Sequence, residues 1–465
     1  ETAFTSTTML EKMMLFLHQN FINDLESVSI DIYHQLNLFR YYAKGSYKDL
    51  SEKICLDNGM IKYLNSDQST GTSPNENFPR ELLELFTIGK GPQIGPGNYT
   101  TYTENDIKEA AKIFTGIEQD QGYTNNIDPT TNIPRGKTTV SRHDSTNKTF
   151  SSAFASTSIT GQNTNAGMLQ EMNQFINMVF AQQATALNIC RKLYRFFVHF
   201  NITTEIETDI IVPLAQTLSS NGYNLEPVLK QLMKSQHFFD EDDTNSDDEV
   251  VGGLIKSPLD VFIGTIKYFD IDLPDKITNP DQHYRLWFKN TFLNFFCLEA
   301  GMQIYNPNDV AGYPAYYQEP ALDDLWINGS TLSFRYLFAD MLLQGQKILT
   351  WGSIYIQMDV MAFVNNTANI PAFTGNDPNG VPGPHAGARI ATHLVDTLVA
   401  ALLPKSIPAA RRSYFLDDLL LDNLSATNWL NEWDNYVGTG NNATVKARIE
   451  LLVRGILQSP EYQLA

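Results

Sequence analysis

Cysteine is nearly absent from this chain: Cys55, Cys190 and Cys297 are the only three in 465 residues. Their number is odd, no two form a CxxC spacing, and each lies in apolar, helical text. That excludes a disulfide framework and a thiolate metal cluster, and predicts three free thiols in the core. Histidine is also scarce, with eight residues and no HExxH pair among them. No apolar run reaches the roughly 18 residues a membrane-spanning helix needs. Positive charge is short: 33 Lys and Arg stand against 52 Asp and Glu, a net charge of −19. With no basic run to offset that field, a nucleic-acid partner is excluded. No GxSxG elbow, P-loop or GxGxxG follows a predicted strand.

What remains is helical and globular. The hydrophobic fraction of 42% and aromatic fraction of 11% argue against disorder and allow a large core without disulfides. Thr8 and Glu11 read as a capping box, followed by an apolar face of Leu10, Met13, Met14, Leu17 and Phe21. Thr103 and Asp106 read as a second box, leading Ile107, Ala110, Ala111 and Phe114 to a stop at Gly116. Residues 184–200, 258–269 and 445–457 carry the same period. Period-two text is almost missing, and residues near Val140 offer at most a short ribbon. The expected fold is therefore all-α (mainly α): one large multi-helical domain over 1–465 with long irregular loops. It divides into two lobes, about 1–240 and 250–465, joined by the acidic run 240–249. One echo crosses that divide: VLKQLMKSQHF at 228–238 parallels LVRGILQSPEY at 452–462, each a helix end stopped at Ser with an aromatic three residues on.

The densest stretch is NENFPRELLELFTIG at 75–89. Asn77 is suited to cap, Pro79 to a first turn and Gly89 to a stop. Arg80 and Glu84 stand four apart, the spacing of an ion pair across one turn. The framework reading of this helix competes with a catalytic one, in which Glu81 or Glu84 faces a pocket. The candidate partners for such a site are His18, on the first apolar face, and His143 with Asp144, in the polar run SRHDSTNKTF. A carboxylate or imidazole there would activate water, with Arg80 as an anion clamp. Within the acidic run, Asp242, Asp243 and Asp247 are candidate calcium ligands, though the EF-hand alternation and closing Glu are missing. Nothing in the sequence requires a cofactor. The Gly- and Pro-rich run 375–387 has the composition of a lid or a spacer. Asp309–Trp326 text (DVAGYPAYYQEPALDDLW) has the Tyr and Trp content of a recognition surface, or of a loop anchored on the core.

Six motifs in order, NENFPRELLELFTIG, YTENDIKEAAKIFTG, RHDSTNKTF, RKLYRFFVH, IKSPLDVFIGTIKYF and NPNDVAGYP with WINGSTLSFRY, resemble the bacterial domain-of-unknown-function family 1800 from about residue 8 to 463. The resemblance implies an exported, mostly helical bacterial protein, and a preceding segment is expected to have been removed. It also implies a partner related to sulfatases and alkaline phosphatases, whose genes often lie beside those of the family. The departures bear on chemistry. Where the family reads Phe-Trp-His-x-His-Phe, this chain has Phe16-Leu17-His18-Gln19-Asn20-Phe21. Phe86 replaces a frequent His, Ile117 replaces Trp after Thr115-Gly116, and Tyr313 replaces Trp between Gly312 and Pro314. His143, Asp144 and Lys148 remain. With fewer imidazoles, a multi-histidine metal centre is disfavoured. The expected function is an extracytoplasmic, cell-surface binding or assembly protein that presents aromatic-bearing loops to a protein or glycan partner. A hydrolase, metal-dependent or not, built on His18, Arg80, Glu84, His143 and Asp144 is the alternative.

Overall fold

The computed structural model describes residues 9–23, 29–241, 249–288, 292–304, 306–307, 309–348 and 354–465. It is mainly α: helices follow one another along the chain, and the strands among the described residues form only short antiparallel two-stranded ribbons. The chain divides into two compact units, one of Glu1–Asp242 with Tyr305–Leu322, the other of Asp243–Ile304 with Asp323–Ala465.

In the first unit, the Leu10–Asn20 helix buries Met13, Met14, Phe16 and Leu17 as its period requires. Thr8 of the expected capping box lies outside the described residues; Met9 occupies the N-cap position and gives no side-chain bond. Phe21 then packs on Tyr47, Phe86 and Phe39 at centroid distances of 5.1, 5.5 and 6.3 Å. The second expected box is present: Thr103 and Asp106 bond reciprocally at the start of the Glu104–Ile113 helix. Asp106 also accepts from the backbone and hydroxyl of Ser151, at 2.6 and 2.7 Å, tying a distant turn to the same cap. Near Val140, residues 140–142 form a 3-10 turn, and the ribbon strand is Lys137–Thr138 paired with Ile117–Glu118.

The 75–89 stretch is a framework element with a detailed ending. Asn75, not Asn77, makes the opening bond, its carbonyl accepting from the Asn77 amide at 2.9 Å. Asn77 is already the first helical residue, since the two-residue reach of an Asx turn suits Asn75 better. Helix Asn77–Glu81 widens into a π turn over Leu82–Phe86. A helix end leaves carbonyls without partners, and here five are met. Thr87 Oγ1 donates to the Leu82 carbonyl and the Gly89 amide to that of Leu83. Lys192 Nζ donates to Leu85, the Tyr47 hydroxyl to Phe86, and Asn188 Nδ2 to Thr87. Gly89 takes φ +75°, and a Cβ there would stand 2.9 Å from Asn188.

The second unit centres on the Pro258–Tyr268, Gly329–Gln344, Ala391–Leu402 and Ala443–Leu457 helices, where Phe262 meets Phe338 at 4.4 Å. The 375–387 run is not a free lid. Phe373 and His385 exchange backbone bonds, Asp377 accepts from the Asn379 and Val381 amides, and Arg389 forks onto Asp434 while holding Asp377. The sequence echo is a repeated helix stop. Ser235 Oγ accepts from the Phe238 amide and Ser459 Oγ from the Tyr462 amide, both at 3.2 Å, each after a helix and before a 3-10 turn. Cys55, Cys190 and Cys297 are free and buried.

One contact sets the loop that later matters. Gln19 accepts from the Tyr313 amide at 3.0 Å and donates to the Ala311 carbonyl at 3.3 Å. Gly312, between them, has φ +102°, and a Cβ there would lie 2.0 Å from Gln19 Nε2. Gly312→Ala is therefore expected to lower unfolding free energy by about 1–3 kcal/mol, measured by urea denaturation; an unchanged midpoint would show that the clamp yields freely.

Candidate functional site

A cavity of about 90 Å³ lies within the first unit. Phe16, Gln19 and Asn20 reach it from the Leu10–Asn20 helix, Glu84 and Leu85 from the π turn, and Lys192, Arg195 and Phe196 from the Gln183–Phe197 helix. The clamped loop adds Val310, Ala311, Tyr316 and Tyr317. Tyr316 leans on Phe196 at 5.2 Å, and the Tyr317 hydroxyl donates to Asp309 at 2.6 Å. Both tyrosines stay half-exposed, whereas Tyr313 is buried. The loop thus anchors one ring and leaves two at the cavity.

Of the five residues proposed for catalysis, only Glu84 lines this cavity. Its carboxylate is engaged by Lys90 at 2.6 Å and by Arg80 at 3.5 Å, the pairing expected from their spacing. Arg80 is held chiefly by Glu104, with Glu76 at 3.1 Å. The Glu104 bond in particular raises its already high pKa, so the guanidinium stays charged and occupied. Glu81 is half-buried, and burial, then the neighbouring Glu84, raises its pKa to about 6. His18 is sealed at 3% exposure, 6.4 Å from the Phe39 ring, and burial lowers its pKa to about 4.

His143 belongs to a different, closed network. Its Nδ1 lies 2.9 Å from the Thr115 carbonyl, which can only accept, so Nδ1 carries a proton. Its Nε2 lies 3.2 Å from Glu171 Oε1, with the two side chains 1% and 0% exposed. Lys148, fully buried, meets the other Glu171 oxygen at 2.5 Å. Asp144 turns away into an Asx turn, accepting from the amide and hydroxyl of Thr146. The side chains of His143 and Asp144 thus have separate partners, while Thr115 bonds both residues through the His143 ring and the Asp144 amide. Asp242, Asp243 and Asp247 lie outside the described residues, and among those described no group of three His, Cys, Asp or Glu could hold a metal.

Three residues escaped the sequence reading. Glu171 had a signal: it is the acid placed among Met168, Met172 and Phe175 on an apolar face. Gln19 and Lys192 had none, because their partners are far away in the chain. The positions where histidine was expected are filled by packing or local bonds. Phe86 is fully buried, and Asn20 donates to the Phe16 carbonyl of its own helix at 2.7 Å. Chemically, the cavity offers aromatic walls, amides, the Glu84 carboxylate and the cationic Lys192 and Arg195.

Two outcomes follow from these environments. Glu171→Gln leaves Lys148 buried beside a neutral amide and should cost about 3–5 kcal/mol of stability; a loss below ~1 kcal/mol in equilibrium unfolding would contradict the network's role. For His18, the folded ring stays neutral down to about pH 4 while the unfolded one takes a proton below 6.5. The unfolded state therefore binds more protons in that window, and His18 removes up to about 3 kcal/mol as pH falls through it. His18→Leu should flatten the acid limb of a stability-versus-pH curve by that order; an unaltered limb would place the titration elsewhere.

No helix among the described residues is long and apolar enough to cross a membrane. No curated protein and no solved structure matches the chain. A family model described as protein of unknown function (DUF1800) matches residues 1–464, nearly every residue from the first helix to the last turn, and the chain belongs to that family.

Proposed function

We propose that this protein is an extracytoplasmic binding or assembly protein whose first-unit cavity receives a group presented by a protein or glycan partner at the cell envelope. The observation that carries this reading is the loop at 309–317. Gln19 fixes it through two hydrogen bonds, yet Tyr316 and Tyr317 remain half-exposed beside the cavity. Aromatic rings at a small, mostly apolar cavity give contact area with little entropy to lose, which is what a recognition surface requires. The dispersal of His18, Glu84 and His143 supports binding over chemistry, since only Glu84 reaches the cavity.

A hydrolytic reading keeps one favouring observation. Burial and Glu84 hold the Glu81 carboxyl protonated up to about pH 6, beside an acid ion-paired at the cavity wall. Two carboxyls in unlike environments are the usual arrangement of an acid and a base. Activity on glycoside or ester substrates that vanishes in both Glu81→Gln and Glu84→Gln would establish it over the binding reading.

Tyr317→Ala removes one ring and its bond to Asp309 while leaving the Gln19 clamp. With partners captured from envelope extracts of a native source and identified by mass spectrometry, this variant should retain its helical circular dichroism and lose at least about tenfold in affinity for the captured partner. Equal affinity would move the recognition surface away from this loop.

A further inference from the structure

The charges around the cavity do not balance evenly. Glu84 is paired with Lys90 at 2.6 Å, while Arg80, 3.5 Å from it, is held chiefly by Glu104. Arg195 is held by Glu319 at 2.6 Å and by the Phe200 carbonyl at 3.2 Å. Lys192 differs from both: its ammonium donates to the Leu85 carbonyl, and no carboxylate lies within salt-bridge distance of it among the described residues. An ammonium has three donors, so that one carbonyl leaves two protons and the full charge unmatched. Phe16 and Phe196 form the neighbouring walls, and apolar surroundings strengthen any ion pair made there while making an unpaired charge costly. Burial already pulls the Lys192 pKa down to about 8, the direction expected of a cation lacking its counter-charge.

We propose that the cavity is an oxyanion site: Lys192 takes the carboxylate of a small acidic ligand, and the half-exposed Tyr316 and Tyr317 flank the body that carries it. The inference rests on the binding reading above and narrows it to anionic ligands. The Leu85 contact orients the ammonium, while the amides of Gln19 and Asn20 on the same wall are already engaged by Tyr313 and Ala311 and by Phe16. A sugar acid combines the needed parts, a ring face for tyrosine and a carboxylate for lysine.

The probe is D-glucuronate, compared by titration calorimetry with its methyl ester and with D-glucose. Wild-type protein should bind glucuronate at least about tenfold more tightly than either neutral sugar, and Lys192→Met should remove that preference. Since the variant also loses the Leu85 contact, a second measurement uses wild-type protein alone. Saturating glucuronate should slow reductive methylation of Lys192, read by peptide mass spectrometry, while leaving exposed lysines such as Lys230 unchanged. Equal binding of ester and acid would overturn the oxyanion site and leave the cavity as a neutral sugar site. Glucuronate binding that leaves Lys192 methylation unchanged, or no glucuronate binding at millimolar concentration, would overturn it as well. Neither of those last outcomes bears on whether Tyr317 serves a protein partner.

Discussion

The first unit depends on how one helix ends. The π turn over Leu82–Phe86 releases carbonyls that a buried environment cannot leave unpaired, and the chain answers with donors from several elements. Tyr47 comes from the Tyr47–Ile54 helix, Asn188 and Lys192 from the Gln183–Phe197 helix, and Thr87 and Gly89 from the segment just beyond. Each bond serves the helix and also fixes the donor's own element against it. A π turn places one extra residue in the turn, which displaces carbonyls outward and makes such side-chain capture possible. The cavity is the space left where that capture meets the 309–317 loop, so its shape follows from satisfying backbone groups.

The two ionic arrangements in this unit show different physics. Lys148, Glu171 and His143 are sealed together, and removing water from three ionisable groups is repaid only because each oxygen and nitrogen has a partner. Gln162 adds its amide to the same Glu171 oxygen that faces His143. Such a network ties the loop holding His143 and Lys148 to the Asn165–Phe180 helix and leaves no face for a ligand. At the cavity the opposite holds: Lys192 is oriented by a neutral oxygen, and its charge is left for something else to meet. A satisfied buried ion pair specifies structure, whereas an oriented charge without a carboxylate partner is what the proposed anionic ligand would meet.

Local features were legible in the sequence because their physics is local. The Thr103–Asp106 box, the Arg80–Glu84 pair and the Ser stops at 235 and 459 each join residues no more than four positions apart. The mainly α class followed from helical period, and the free thiols from apolar context. The error at the 75–89 stretch was also local: Asn75 outcompeted Asn77 as the opening cap. The Gly- and Pro-rich run, open between lid and spacer, is braced by Arg389. The cavity was illegible for a different reason. Gln19 and Ala311 stand 292 positions apart, and no periodicity links a residue to a loop at that separation.

The fate of the expected histidines connects these points. A metal or proton-transfer site built on imidazoles needs them to face a common space with exposed, ionisable nitrogens. Here the 20 and 86 positions hold Asn20 and Phe86. The first spends its amide on its own helix; the second fills the cluster of Phe21 and Tyr47 and offers its carbonyl to the Tyr47 hydroxyl. His18 is buried beside Phe39, and that burial holds it neutral. The cavity, which His18 does not line, carries the Glu84 carboxylate, the Lys192 ammonium and the Arg195 guanidinium beside its amides and phenols. Sealing His18 into the core thus leaves carboxylate and cation, not imidazole, as the charged groups from which the cavity must work.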